Sequence, residues 1–225
     1  MTMDFEPWNK LLQTYVNDRG QVNYVRWKQE QPNAITEWIS SLEWSNPTPD
    51  EQLSLWINLY NAFVIEKILP RYPIRSIQPK IFGIPNWIAF FQFFFNRDRT
   101  AFNQKFSLGQ IENECLRKQS QDPRIHFAIV CASIGCPLLR NEAYFPDRVD
   151  QQLEDDKNRF IQNPEKVKYD ADRNVLYCSK IFKWYRQDFL SVAPSIAEYI
   201  NPNIPKNARI SYLDYDWSLN QTSFN

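Results

Sequence analysis

The sequence is poor in glycine, histidine and methionine: its 225 residues include four Gly, one His and two Met. With so little glycine, turns must rely on the 15 prolines and on Asn and Asp. A single histidine leaves little for a zinc site, and none of the four cysteines belongs to a Cys-x-x-Cys pair. We therefore expect no metal ion and no cofactor.

The sequence also lacks an excess of charge of either sign. It has 26 Lys plus Arg and 26 Asp plus Glu, so its net charge is zero. Without a positive excess or a basic stripe there is no general attraction to a phosphate backbone, and we expect no nucleic-acid partner. Residues 1–6 contain acidic side chains and no apolar core, which excludes a signal peptide there. The sequence thus predicts a soluble, cytoplasmic protein whose cysteines stay reduced.

The apolar run at residues 81–95 is too short to cross a bilayer, which takes about 20 residues. It is also interrupted by Pro85, Asn86 and Gln92. We therefore predict no transmembrane segment. The run is typical of core packing plus a hydrophobic wall, and contact with a membrane surface stays open.

What the sequence does have is a large apolar fraction, with 43% hydrophobic and 16% aromatic residues, and no internal repeat. This predicts one domain over residues 1–225, with an N-terminal helical extension at 1–47 and a core at 48–220. The fold class expected is α+β, a helix-rich domain around a small, mainly antiparallel sheet.

The clearest helix start is the capping box at residues 48–51, Thr-Pro-Asp-Glu. The helix that follows is apolar on nearly all sides and should be central. Asn58 and Asn61 lie three residues apart on it, and buried amides need partners. They either tie the helix to a neighbouring loop or line a substrate pocket.

Further elements follow from local patterns. A second capping box opens a short helix, a six-residue apolar run reads as a buried strand, and an alternating pattern predicts a hairpin. In chain order we predict a helix start at 107–110, a strand at 125–130, a helix at 147–161, hairpin strands at 166–169 and 175–178, an aromatic helix capped by Ser179, and an edge strand within 210–219.

One stretch has the composition of an active site. His126 precedes Cys131 by five residues, at the end of the predicted strand and the start of a small-residue loop. Cysteine chemistry requires a thiolate, and the lone imidazole is the only histidine base available. Cys136, followed by Pro137 in a possible helix start, is an alternate nucleophile or a resolving thiol.

A carboxylate should orient the imidazole. Glu112 is the nearest candidate in sequence, and Glu114 and Asp122 are alternatives. Geometry argues against a simple pairing of His126 with Cys131, because residues five apart on a strand face opposite sides about 16 Å apart. The two side chains meet only if the chain bends; otherwise they are a core histidine and a structural cysteine.

The sequence resembles the domain-of-unknown-function 547 family. The matching segments are LWINLYNAF at 55–63, SLGQIENECLR at 107–117, DPRIHFAIVCASIGCPLLRNEAY at 122–144, SKIFKWYRQDF at 179–189 and YDWSLN at 215–220. The resemblance implies that Cys131 rather than Cys136 is the recurring cysteine, and that Asn113 stands where the family has a histidine. It also implies a similarity to papain-like thiol hydrolases, although the order here is Glu, His, Cys.

These observations lead to a hypothesis of a cysteine-dependent hydrolase or transferase acting on a small peptide amide or thioester, such as a glutathione-like compound. Cys131 would attack, His126 would act as base, and Glu112 would orient it. The oxyanion would bind backbone N–H groups of the loop, and cationic side chains would bind substrate carboxylates. Expected substrate-binding residues are Ala132, Ser133, Gly135, Arg124, Arg140, Lys180, Asn58 and Asn61.

Two alternatives stay open. The same pocket could bind a small peptide or thiol compound without catalysis, with Cys131 only lining it. Cys131 and Cys136 could instead form a reversible redox pair, which four intervening residues permit.

Overall fold

The centre of the protein is a long helix, α4 (Pro49–Ile68). In the computed structural model, which describes residues 3–222, 14 of its 20 residues are buried, so the prediction of a central helix is confirmed. The predicted capping box is present. Thr48 Oγ1 accepts a hydrogen bond from Glu51 N–H at 3.3 Å, and the Glu51 carboxylate accepts one from Thr48 N–H at 2.8 Å.

Three N-terminal helices, α1 (Glu6–Tyr15), α2 (Tyr24–Glu30) and α3 (Ala34–Ser41), pack against this centre. The sequence predicted a helical extension here. Trp8 joins the helices because its ring stacks on Trp38 at 5.5 Å and lies 6.0 Å from Trp27, centroid to centroid. These residues belong to the same hydrophobic core as α4 and Leu219 near the other end of the chain.

The segment after α4 alternates short strands with short helices. A 3₁₀ turn (Leu69–Arg71) leads to two antiparallel hairpins on either side of one helix, and a helical stretch follows that is π-helical in its middle. The elements are β1 (Lys80–Ile81), β2 (Ile84–Pro85), α5 (Trp87–Phe95), β3 (Arg99–Ala101), β4 (Gln104–Phe106), α6 (Leu108–Gln110), the π-helix (Ile111–Arg117) and α7 (Lys118–Ser120).

The strand predicted at 125–130 is wrong: the chain forms a 3₁₀ helix (Pro123–Phe127) and then a turn. Asp122 caps this helix by accepting a hydrogen bond from Arg124 N–H at 2.8 Å, and Pro123 occupies its first turn. The run is buried, as predicted, but burial alone does not distinguish a short strand from a helical turn. The Asp-Pro pair favours the helix, because Asp caps a helix and Pro fits its first turn.

The C-terminal third contains the largest sheet. The predicted hairpin is confirmed as β5 (Val167–Asp170) and β6 (Val175–Cys178), and β7 (Arg209–Tyr212) adds a parallel edge strand. The helices are α8 (Val149–Gln162), α9 (Ile181–Trp184), α10 (Arg186–Leu190) and α11 (Ile196–Ile200). The protein is therefore α+β, rich in helix, with small and mainly antiparallel sheets, as the sequence predicts. No helix within residues 3–222 is long and apolar enough to cross a bilayer.

Candidate functional site

A cavity of about 410 Å³ lies between α5, the π-helix, α9 and the loop that carries Cys131 and Cys136. Most of its wall is aromatic. Among the described residues that line it, Glu112 is the only carboxylate and no Lys or Arg is present. The aromatic lining residues are Tyr60, Trp87, Phe90, Phe91, Phe94, Phe95, Trp184, Tyr185, Tyr215 and Trp217.

His126 lines this cavity and is 2% exposed. Its Nε2 lies 2.7 Å from Oδ2 of Asp188, and its ring stacks on Tyr185 with the centroids 3.7 Å apart. An ionised carboxylate only accepts hydrogen bonds, so Nε2 carries the proton and donates. Nδ1 is buried and has no hydrogen-bond partner. In the neutral imidazole, Nδ1 therefore has a free lone pair that can take up a proton.

Asp188 is held by two positively polarised partners. Arg117, at the end of the π-helix, donates from Nε and Nη2 to the two carboxylate oxygens at 2.7 and 2.8 Å. These hydrogen bonds, and next the one from His126, hold the pKa of Asp188 well below its usual value. We call Arg117, His126, Tyr185 and Asp188 the charge cluster. It fixes the orientation and tautomer of the imidazole.

Asp188, rather than the predicted Glu112, is thus the carboxylate that holds His126. Glu112 also lines the cavity, but it lies beside Tyr185. Burial and then the Glu112 carboxylate raise the pKa of Tyr185 well above its usual value. Neither Glu114 nor Asp122 takes the place of Glu112, since Glu114 pairs with Gln110 and Asp122 with Arg124. Sequence reasoning missed Asp188 because it lies 62 residues from His126, although it falls within the family-like segment 179–189.

The chain does bend between His126 and Cys131, so that both residues line one cavity. No hydrogen bond joins them, because Nδ1 of His126 is unpartnered. Sγ of Cys131 lies 3.1 Å from Ser133 Oγ and 3.4 Å from Tyr215 OH.

Cys131 and Cys136 are joined by a disulfide bond, so the expectation that all cysteines are reduced is wrong for this pair. Tyr215 OH donates to Cys136 Sγ at 3.1 Å, so one phenol contacts both sulfur atoms. The two free cysteines are poor nucleophiles. Burial raises the pKa of Cys115 to about 11 and that of Cys178 to about 12.

The loop after Cys131 is less free to bind an oxyanion than the sequence suggests. Ile134 N–H donates to Ser218 O at 2.8 Å and Gly135 N–H to Asp216 O at 2.7 Å. A Cβ on Gly135 would approach Tyr215 to 2.8 Å, so this glycine admits the C-terminal segment rather than a ligand. Ala132 and Ser133 are both buried.

Ala132 adopts a left-handed backbone conformation with φ of 63°. Such a conformation costs a non-glycine residue on the order of 1 kcal/mol and is concentrated at functional sites. It turns the chain sharply, directly after Cys131.

Asn58 and Asn61 have backbone partners and lie outside the cavity lining. Asn61 Nδ2 donates to Ala128 O at 3.0 Å, and its Oδ1 accepts from Val130 N–H at 2.9 Å. Asn58 holds Tyr144 in the same two-bond manner, at 2.8 and 3.0 Å. The amides therefore tie α4 to its neighbours, which is the first of the two roles the sequence left open. Asn61 supplies the segment before Cys131 with the hydrogen bonds that a neighbouring strand would otherwise make.

The three cations proposed to bind substrate carboxylates have carboxylate partners of their own and do not line the cavity. Arg124 pairs with Asp122, Asp150 and Glu154, Arg140 with Glu142, Asp155 and Asp156, and Lys180 with Asp214. The structure thus does not bring them together with Cys131.

The outer wall of the cavity is α5, so residues 81–95 do supply a hydrophobic wall, whereas the core packing expected for this run is wrong for most of it. Only Phe93 of α5 is buried. Seven large apolar side chains of this run are more than half exposed, and we call them the apolar face: Ile81, Phe82, Ile84, Trp87, Ile88, Phe91 and Phe95. Trp87, Phe91 and Phe95 also line the cavity, so the cavity opens beside this face.

Comparison with known proteins adds one finding to this geometry. The sequence model of the family described as "Protein of unknown function, DUF547" matches residues 44–161, more than half of the chain. The chain belongs to the DUF547 family. The match contains Glu112, His126 and Cys131, whereas Asp188 and Tyr185 lie beyond its last residue. No curated protein and no solved structure matches the chain.

The residues that the structure describes contain no group of three or more His, Cys, Asp or Glu side chains placed to bind a metal ion.

Proposed function

We propose that this DUF547 protein is a cysteine-dependent hydrolase or acyltransferase that acts on an amide or thioester. The observation that carries the proposal is the buried imidazole of His126. Its Nε2 is bound to Asp188, and its unpartnered Nδ1 belongs to a residue of the same cavity as Cys131. A fixed carboxylate, an oriented imidazole and a nearby sulfur are the parts that thiol catalysis requires.

The reaction begins with the reduced form, because the sulfur of a disulfide cannot attack a carbonyl. Two-electron reduction by a small thiol converts the Cys131–Cys136 bond into two thiols and frees the Cys131 side chain to turn toward His126. Nδ1 of His126 takes the proton of the Cys131 thiol. Asp188 accepts the Nε2 hydrogen bond and stabilises the imidazolium that forms.

The Cys131 thiolate attacks the carbonyl carbon, and the carbonyl electron pair moves to oxygen. When the tetrahedral intermediate collapses, the amine or thiol leaves with the proton from Nδ1, and the acyl group remains on sulfur. Water or an acceptor nucleophile then attacks the thioester, gives its proton to Nδ1, and releases the Cys131 thiolate. Ser133 Oγ and Tyr215 OH, both close to the sulfur, are the side-chain donors available to the oxyanion.

The substrate class follows from the cavity wall. A free glutathione-like peptide carries two carboxylates, and no cation is among the described lining residues to bind them. The aromatic wall favours an apolar group, so we propose an amide or thioester of an apolar acyl chain, or a peptide with a large apolar side chain next to the cleaved bond. Small peptides without such a group are the poorer candidates.

Mass spectrometry of an acyl adduct tests the proposal. The protein is incubated with octanoyl thioesters and with acetyl thioesters, before and after reduction. We expect an octanoyl adduct on Cys131 in the reduced wild type and none in Cys131→Ala. Cys136→Ser is the matched control: it loses the same disulfide but keeps the nucleophile, and we expect it to form the adduct without reductant.

An equal adduct in Cys131→Ala would refute Cys131 as the nucleophile. If no substrate in the panel reacts but octanoyl compounds bind, the site is a binding pocket and the enzyme proposal fails.

The disulfide itself favours a second candidate, a thiol redox protein that cycles between the Cys131–Cys136 bond and two thiols. This function predicts exchange with a small disulfide that requires both cysteines. Cys136→Ser would abolish such exchange while it leaves acyl transfer intact, so the two functions separate in one variant.

A further inference from the structure

The apolar face is unusual for the outside of this protein. Eleven large hydrophobic side chains are exposed in the described residues, and seven of them belong to the apolar face. Apolar patches of this kind mark sites that bind a partner or a membrane. The charges beside the apolar face indicate which kind of partner covers it.

The backbone conformation of the β1–β2 hairpin and the start of α5 places this face on the outside. β1 and β2 pair through a two-residue turn in which Phe82 and Gly83 both have positive φ, 50° and 82°. This is the geometry of a tight hairpin, and it leaves the Phe82 side chain fully exposed. α5 starts directly afterwards, because Asn86 caps it by accepting a hydrogen bond from Ala89 N–H at 3.1 Å. Hairpin tip and helix side therefore form one projecting apolar surface.

The charges along this part of the chain are of one sign. Residues 67–97 contain five Lys or Arg and no Asp or Glu, in a chain with zero net charge. Lys67 is buried and paired with Asp98, but Arg71, Arg75, Lys80 and Arg97 are exposed. The nearest acids along the chain are paired with bases, Glu66 with Arg99 at 3.0 Å and Asp98 with Lys67 at 2.6 Å, and Glu112 faces the cavity.

We infer that the apolar face docks this protein on an anionic membrane surface. Exposed Trp, Phe and Ile side chains beside basic residues without acids are the combination that binds the headgroup and acyl boundary of a bilayer. α5, with nine residues, lies on a bilayer and does not cross it. Docking does not depend on thiol chemistry, but it would place the cavity mouth where an acyl chain could enter.

Vesicle sedimentation with the full chain tests the docking. Sucrose-loaded phosphatidylcholine vesicles are compared with vesicles that also hold about one third phosphatidylserine. We expect binding to the anionic vesicles that weakens with salt. Phe82→Ser with Ile88→Ser should lower the partition coefficient about tenfold or more, because two large side chains no longer enter the bilayer. Lys80→Gln with Arg97→Gln should lower it about fivefold for each cation on anionic vesicles only.

Val192→Ser is the control, because Val192 is also more than half exposed but lies outside the apolar face; it should bind like the wild type. Cys131→Ala should also bind like the wild type, which separates docking from catalysis. The inference is overturned by absence of binding to anionic vesicles, or by binding that survives Phe82→Ser with Ile88→Ser. It is also overturned if sedimentation velocity shows that the face is occupied by a second copy of the chain.

Discussion

The cavity has two unlike sides, the charge cluster and the apolar face. In the charge cluster, nearly every polar atom is bound: Arg117 and His126 both donate to Asp188, and Tyr185 covers the imidazole. On the apolar face, seven large apolar side chains are more than half exposed to solvent. The cluster gains its stability within the fold, whereas the face can gain it only from a partner. The charge cluster and the apolar face thus belong to different elements beside the same cavity.

The largest expected effect is that of Asp188→Asn on turnover. An asparagine amide would donate a hydrogen bond to Nε2 and place the imidazole proton on Nδ1, so that His126 can no longer act as base. We expect acyl transfer by the reduced protein to fall about 10⁴-fold, as in other triads. Single-turnover kinetics with an octanoyl thioester measures it. Retention of more than a tenth of the wild-type rate would show that the cluster is structural only.

The next effect concerns the support that α4 gives to the backbone of residues 128–130. Asn61→Ala leaves the buried Val130 N–H and Ala128 O unpaired, at about 1–3 kcal/mol for each group. We expect the free energy of unfolding, measured by urea titration, to fall by about 2–6 kcal/mol. Asn96→Ala, at an exposed position after α5, is the control and should change it by less than about 0.5 kcal/mol. Equal effects would mean that Asn61 has no such role.

A smaller effect appears in the pH dependence of stability. The folded-state pKa of Asp188 is lowered, so its contribution is present above the unfolded value of about 3.9 and is lost as pH falls through the folded-state pKa. The stability difference between wild type and Asp188→Asn should be about 1.5–3 kcal/mol at neutral pH and shrink toward zero in acid. Urea titrations from neutral pH down to about pH 2 measure it. A constant difference would contradict an ionised Asp188.

The smallest effect is expected on the apolar face. Phe82→Ser with Ile88→Ser removes side chains that contact little, so the free energy of unfolding should change by less than about 0.5 kcal/mol. The same variant should lose vesicle binding. Asn61→Ala should instead lower the free energy of unfolding. A large loss of stability would show that these side chains belong to the core after all.

Local rules predicted the elements whose cause is local. The capping box at 48–51, the hairpin around residues 170–175 and the helix after residue 147 each follow from neighbouring residues, and each is present. The candidate pair His126 and Cys131 was also found from sequence, because a chain with one histidine leaves few choices.

The rest depends on contacts between distant residues. Residues 125–130 read as a strand because a short apolar run fits either period. Two of their backbone groups, Ala128 O and Val130 N–H, are instead bound by Asn61, 67 and 69 residues away. Asp188 reaches His126 only through the packing of α10 against the 3₁₀ helix. The exposure of α5 could not be predicted from sequence either. An apolar segment does not show whether another part of the fold covers it.

The most direct test of the thiolate proposal is the pH dependence of Cys131 alkylation by iodoacetamide in the Cys136→Ser background, with and without His126→Ala. Peptide mapping separates Cys131 from Cys115 and Cys178, whose raised pKa values keep them slow. With His126 present, alkylation of Cys131 should rise with a midpoint well below the free-thiol value of about 8.5, and His126→Ala should return it to about 8.5 or above. Identical profiles in the two variants would contradict the proposal that His126 generates the nucleophile.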